Sequence, residues 1–153
     1  MKVTAVVRNK QTSSIEYADQ IFSSDQLRTA VASADHIFLC IPGGAGNDRV
    51  FDESVLSALK PSAFLYNISR GTTVDEEALY DYLVKGKIAG AGLDVTHTEP
   101  LPPESKLWNL GDQVLITGHS AGLSEKHTDR FCSLAIKNLT RFDRGLPLEN
   151  RVI

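Results

Sequence analysis

The chain has 153 residues, 42% of them hydrophobic and 23% charged, which fits one soluble domain with its own core and excludes a disordered, collagen-like or coiled-coil chain. Sixteen Lys and Arg against 19 Asp and Glu leave a formal charge of −3, so there is no basic footprint for nucleic acid or an anionic membrane, and a polyphosphate would need a local site. The amino terminus, MKVTAVVRNK, lacks the apolar stretch of a signal peptide, and no window approaches the roughly 20 apolar residues of a membrane span; with the distant cysteines Cys40 and Cys132 read as reduced, the expected compartment is the cytoplasm.

Short, β-branched-rich, nearly continuous apolar runs alternate with amphipathic stretches, the pattern of parallel strands buried on both faces. Strands are expected over residues 3–7 and 20–22. Ser23 with Gln26 makes a capping-box pattern, and Leu27, Ala30, Val31 and Ala34 follow at helical spacing. A strand over 36–41 leads to a short helix over 52–59 that stops before Pro61, and the next strand covers 63–68. Thr73 with Glu76 opens a helix whose buried stripe is Leu79, Tyr82 and Leu83 and whose carboxyl-terminal cap is Gly86. Strands over 89–94 and 113–117 precede a last helix, from about residue 125 to about 143, expected to turn Phe131, Leu134, Ala135, Leu139 and Phe142 inward and to end at Gly145. No repeat, low-complexity tract or linker interrupts the series, so the reading is α/β with a doubly wound parallel sheet.

In such sheets ligands bind beyond the carboxyl ends of the strands. Here those ends read Arg8-Asn9-Lys10, Pro42-Gly43-Gly44, Asn67-Ile68-Ser69-Arg70-Gly71, Asp94-Val95 and Gly118-His119-Ser120-Ala121-Gly122. Any one of these alone is an ordinary turn, but five at one sheet edge point to a site. The run Gly43-Gly44-Ala45-Gly46-Asn47 does not complete G-x-G-x-x-G, because Arg49 stands where the third glycine is required, and it reads as a flexible turn. Metal ligation by His97, Glu99 and His119 has no H-E-x-x-H helix or Cys/His ladder behind it, and no G-x-S-x-G elbow supports a Ser-His-Asp hydrolase.

The segment NISRGTTVDEEALYDYLVKGKIAGAGLDV, followed by TEPLPPESKLW and VLITGHSAG, resembles the D-isomer-specific 2-hydroxyacid dehydrogenases, and the match runs from Met1 to about Leu146 without a large gap. The resemblance implies a Rossmann-like NAD(P)-binding domain and hydride transfer between a small 2-keto acid and its 2-hydroxy acid. It places the family's catalytic Arg, Glu and His on Arg70, Glu99 and His119. The chemistry suits the residue types: a guanidinium fork holds a carboxylate, an imidazole exchanges a proton near neutrality, and a carboxylate beside it favours the imidazolium. The expected cofactor site takes in Pro42 beside the adenosine ribose, and Ile68, Arg70, Asp94 and His119 around the nicotinamide. Arg8 stands where NAD-preferring members carry an acid, so the cofactor is NADP or NAD, with NADP favoured. Two departures stand out. Gly118 replaces the usual Pro and leaves His119 less firmly held, and Asn47 replaces a usual Thr and leaves its amide to make any hydrogen bond there.

The sequence holds no counterpart of the family's substrate-binding lobe, nor of the strand, G-x-G-x-x-G turn and helix that open its cofactor domain. The expectation is therefore a single incomplete Rossmann domain over 1–153, truncated at its amino terminus, with weak cofactor binding and little or no turnover by the chain alone. The alternative is a non-catalytic interaction module or remnant that associates with itself or with an intact homologue. Without the central strand of the order 3-2-1-4-5-6, the strand over 3–7 is expected to close against 36–41 or to join an edge of another copy, giving a homodimer or larger assembly with that strand rearranged or exchanged.

Overall fold

Each expected strand forms in the computed structural model, which describes residues 1–8 and 15–151; the second is one residue longer than expected and the others are shorter. In chain order the elements are β1 (Thr4–Val7), β2 (Gln20–Ser23), α1 (Leu27–Val31), β3 (His36–Leu39), α2 (Glu53–Leu56), β4 (Phe64–Asn67), α3 (Glu76–Val84), β5 (Gly90–Leu93), β6 (Val114–Ile116) and α4 (His127–Asp143). Tight 3-10 turns over Ser24–Gln26 and Gly71–Thr73, and a longer 3-10 segment over Lys106–Gln113 that is interrupted at Gly111, complete the set among the described residues. The chain divides into two compact units, Met1–His119 and Ser120–Ile153.

All strand pairing in the first unit is parallel, as βαβ connections require. β1 pairs with β2, and a separate sheet runs β3-β4-β5-β6. The expected closure of β1 against β3 does not occur. α1 packs on β1 and β2 and also against α2, with Ala30 and Val31 buried. Val3 O accepts from Asp19 and Gln20, while Asp35 O and Leu39 O accept from Phe64 and Ile68. Alternation along a parallel strand then turns the main-chain groups of Thr4 and Val6, and of His36 and Phe38, to edges with no strand partner among the described residues.

One face of the four-stranded sheet carries the core. Ile37, Leu39, Leu65 and Leu93 meet Val55 and Leu56 of α2 and Leu79, Tyr82 and Leu83 of α3, with Leu107 and Leu110 alongside. The expectation of strands buried on both faces is not met. Successive side chains point to opposite sides of a strand, and on the second side His36, Phe38, Phe64 and Leu115 are exposed. There Phe38 stacks on Tyr66 with ring centroids 4.5 Å apart, and Tyr66 OH lies 3.0 Å from His36 Nδ1.

The helix ends follow local chemistry with two corrections. Gly86 adopts φ +61°, with Lys87 N–H donating to Tyr82 O, the left-handed cap expected of it. α3, however, is capped by Asp75, whose carboxylate accepts from Ala78 N–H, and not by Thr73, whose hydroxyl is engaged elsewhere. In the second unit α4 has none of its residues buried. Phe131, Ala135, Leu139 and Phe142 are exposed and Leu134 is half-buried, contrary to the inward-facing stripe expected. Periodicity settles which residues share a helix face, but burial needs a surface to cover it, and the unit Ser120–Ile153 contains no other helix or strand among the described residues.

Candidate active site

β4 stops at Asn67, a polar residue that is only 1% exposed, and the turn after it is built around that amide. Asn67 Oδ1 accepts from Ser69 N–H (3.1 Å) and Ser69 Oγ (2.8 Å), while Nδ2 donates to Arg70 O (3.0 Å) and Thr73 Oγ1 (3.4 Å). Thr73 Oγ1 donates to Arg70 O at 2.6 Å. A buried amide has two donors and an acceptor to satisfy, and meeting them here locks the backbone of Arg70 from both sides. Arg70 Nη1 donates to Ser69 O at 2.7 Å, and the side chain makes no ion pair among the described residues.

Two glycines allow neighbouring loops to approach this turn. A Cβ on Gly71 would lie 1.9 Å from Thr96 O, and one on Gly43 would lie 2.8 Å from Arg70 Cγ. Without side chains there, the loop after β5 rests on the Arg70-Gly71 backbone and the loop after β3 rests on the arginine stem.

The loop after β5 carries the carboxylate. Glu99 Oε1 accepts from Thr96 N–H (3.3 Å), and His97 N–H donates to Glu76 Oε2 (2.9 Å), tying the loop to the start of α3. Glu99 Oε2 lies 2.7 Å from His119 Nδ1. An ionised carboxylate only accepts, so the hydrogen sits on Nδ1 and Nε2 is left for other exchange. His119 itself adopts φ +53°, an uncommon conformation for a residue with a side chain. Its N–H donates to Asp94 O at 2.9 Å. The expectation that Gly118 leaves His119 loosely held thus meets two fixed contacts, one to backbone and one to Glu99. Asp94 is buried, and its Oδ1 accepts from Thr117 Oγ1 at 2.5 Å.

The structure brings Pro42, Ile68, Arg70, Glu99 and His119 to the walls of one open cleft of about 1000 Å³. Asp94 does not line it. Arg8 is also outside the lining but is linked to it: Arg8 Nη2 donates to Asn47 Oδ1 (3.4 Å), and Asn47 Nδ2 donates to Pro42 O (2.8 Å). Asn9 and Lys10 lie outside the described residues, and Ser120, Ala121 and Gly122 fall in the second unit. Sequence reasoning overlooked the Asn67–Ser69–Thr73 network, although a polar residue at the abrupt end of an apolar run was a usable signal for it. Among the described residues no group of three or more His, Cys, Asp or Glu could hold a metal ion, and no helix is long and apolar enough to cross a membrane.

The family described as D-isomer specific 2-hydroxyacid dehydrogenase, NAD binding domain, matches residues 1–121. The chain is 38% identical over 126 residues to glyoxylate/hydroxypyruvate reductase B of Pectobacterium atrosepticum, covering 82% of this chain and 39% of that protein. It spans between 36% and 49% of the length of the first curated relatives it matches. Among solved structures, a D-isomer specific 2-hydroxyacid dehydrogenase from Xanthobacter autotrophicus Py2, in complex with NADPH and MES, superposes with a TM-score of 0.88 at 30% identity, over 99% of this chain and 61% of that one. An NADPH-dependent glyoxylate/hydroxypyruvate reductase from Sinorhizobium meliloti, in complex with NADP and sulfate, gives 0.86 at 26% identity, over 99% of this chain and 48% of that one. The parallel sheet with its flanking helices is thus a Rossmann-like α/β fold.

Proposed function

The chain belongs to the D-isomer specific 2-hydroxyacid dehydrogenases, and from that premise we propose that its cleft serves the reduction of a small 2-keto acid, or the reverse oxidation, with NADP or NAD. The observation that carries this reading is the 2.7 Å pair between Glu99 Oε2 and His119 Nδ1, lining the same cleft as an Arg70 with no ion-pair partner among the described residues. The relatives named for glyoxylate and hydroxypyruvate suggest the size of the acid. Arg70 would hold its carboxylate in a two-point fork. His119 Nε2 would give the proton to the oxygen that becomes the hydroxyl, and take it back in oxidation. Glu99 would stabilise the imidazolium and keep the ring turned.

The nicotinamide, when bound, supplies or takes the hydride. The chain's residues fit the two ends of such a cofactor: Ile68, Arg70 and His119 with Asp94 behind them at one end, and Pro42 with Arg8, which makes no ion pair among the described residues, at the other. The Arg8 guanidinium in place of an acid favours a 2′-phosphate, hence NADP over NAD. For the pyrophosphate the 153 residues hold no G-x-G-x-x-G turn, so the isolated chain is expected to bind a dinucleotide weakly and to turn over slowly or not at all.

A second reading, a module that associates with itself as a homodimer or with an intact homologue, rests on the strand edges of β1 and β3 and on the exposed His36, Phe38 and Phe64. Free Cys40 and Cys132 suit a reducing, cytoplasmic setting. Assays of NADPH- and NADH-dependent reduction of glyoxylate and hydroxypyruvate, by the chain alone and mixed with an intact relative, test the first reading. Turnover that His119→Ala removes supports it, and near-normal turnover in His119→Ala across the pH range overturns the acid/base assignment. Association on sedimentation without turnover in either setting favours the module.

A further inference from the structure

We propose that Asn47 is a positioning residue for cofactor selection: its side-chain amide holds the Arg8 guanidinium at the Pro42 end of the cleft, still charged, to receive a phosphomonoester on an adenosine ribose. This rests on the NADP reading above and assigns the residue that makes Arg8 effective.

The amide bridges two segments 39 residues apart. With Nδ2 donating to Pro42 O at 2.8 Å, its oxygen is turned toward Arg8 Nη2 at 3.4 Å. The donor end sets the direction of the acceptor end, because the two are fixed on one planar group. Asn47 is itself anchored: its N–H donates to Gly44 O at 2.7 Å, its O accepts from Val50 N–H at 3.4 Å, and the residue is half-buried. A guanidinium tethered to such a base samples fewer conformers than a free one and loses less entropy on binding an anion.

The partner's neutrality matters as much as its position. Among the described residues Arg8 makes no ion pair, whereas nearby Arg49 lies 3.5 Å from the Asp75 carboxylate and is already compensated. An amide oxygen takes one guanidinium hydrogen and cancels no charge, so an amide partner does not compete with a phosphate for that charge. A carboxylate at position 47 would compete with that phosphate.

The test uses adenosine 2′,5′-bisphosphate and 5′-AMP, which carry the adenosine end alone and need no pyrophosphate cradle. Their binding to the whole chain is measured by titration calorimetry for wild type, Arg8→Ala, Asn47→Ala, Asn47→Asp and Arg8→Ala/Asn47→Ala, with circular dichroism to verify folding. The ratio of the two affinities is the readout. Arg8→Ala is expected to lower it by about tenfold or more. Asn47→Ala should lower it by roughly three- to tenfold, and Asn47→Asp by more than Asn47→Ala. The double variant should match Arg8→Ala alone. If Arg8→Ala loses the ratio and Asn47→Ala keeps it, the role of Asn47 is overturned while the NADP reading stands. A wild type with no preference, or an Arg8→Ala that keeps it, overturns the NADP reading and this inference together. Should Asn47→Ala unfold, Asn47→Asp decides, and a wild-type ratio in it refutes the positioning role.

Discussion

Arg70 and Arg8 follow strands of different sheets, β4 and β1, and are fixed by opposite means. The Arg70 backbone is held at its carbonyl by Asn67 and Thr73, and Ser69 bonds to both of these in one buried network. Arg8 is held through its side chain, among the described residues, by one amide at an exposed surface. A closed polar network in a low-dielectric interior is stiff, and it is costly to break because each orphaned group loses water as well as its partner. A single surface contact costs little to lose. The contrast matches the tasks proposed for the two ends: a carboxylate must be placed to a fraction of an ångström against a reacting carbon, while a phosphate is selected by charge over a looser geometry.

The contrast is open to attack by mutation, beginning with the largest expected effect. Asn67→Ala removes the acceptor for Ser69 and a donor to Arg70 O, and leaves a small void. A loss of about 3 kcal/mol is expected in urea denaturation, and a loss near zero would break the comparison. Gly71→Ala forces a methyl toward Thr96 O and should destabilise by about 1–3 kcal/mol, read by the same measurement. Asp75→Ala removes the cap of α3 and the partner of Arg49, for about 1 kcal/mol in thermal melting.

The acid limb of stability offers a gentler test. The hydrogen bond from Val55 N–H, with help from Ser54, holds the Asp52 carboxyl below the ordinary carboxylate range. A folded-state value below the unfolded one means the contribution is present above the unfolded pKa and is lost as pH falls through the folded one. Asn also caps well, so Asp52→Asn should match wild type at neutral pH and lose less stability below about pH 4. Equal acid slopes in pH-dependent denaturation would contradict this. The smallest effect belongs to Arg8→Ala, whose stability should stay within about 0.5 kcal/mol of wild type. A loss comparable to that of Asn67→Ala would show that the two arginines are not held differently after all.

Much of the architecture was legible in the residues alone. Each apolar run became a strand, because short apolar continuity between turns marks a strand of a parallel sheet, although one face of the four-stranded sheet is left exposed. Gly86 at the end of α3 was readable for a similar reason, since a left-handed residue directly after the helix C-cap is a local requirement. Arg70, Glu99 and His119 could be picked out by motif order, and all three line the cleft.

What the one-dimensional pattern could not supply was decided by contacts between distant segments. Thr73 looked like a helix cap until Asn67 and Arg70 claimed its hydroxyl and left Asp75 to cap α3. α4 has the spacing of a buried helix yet stays exposed, because amphipathicity names a face and not the surface that covers it. That β1 and β3 lie in separate sheets is a matter of strand pairing, and the bridge from Arg8 through Asn47 to Pro42 joins residues far apart in the chain. Propensity, periodicity and capping act over a few residues and are written in the sequence. Which polar group satisfies which, and which apolar face finds cover, depends on distances that exist only once the chain has folded.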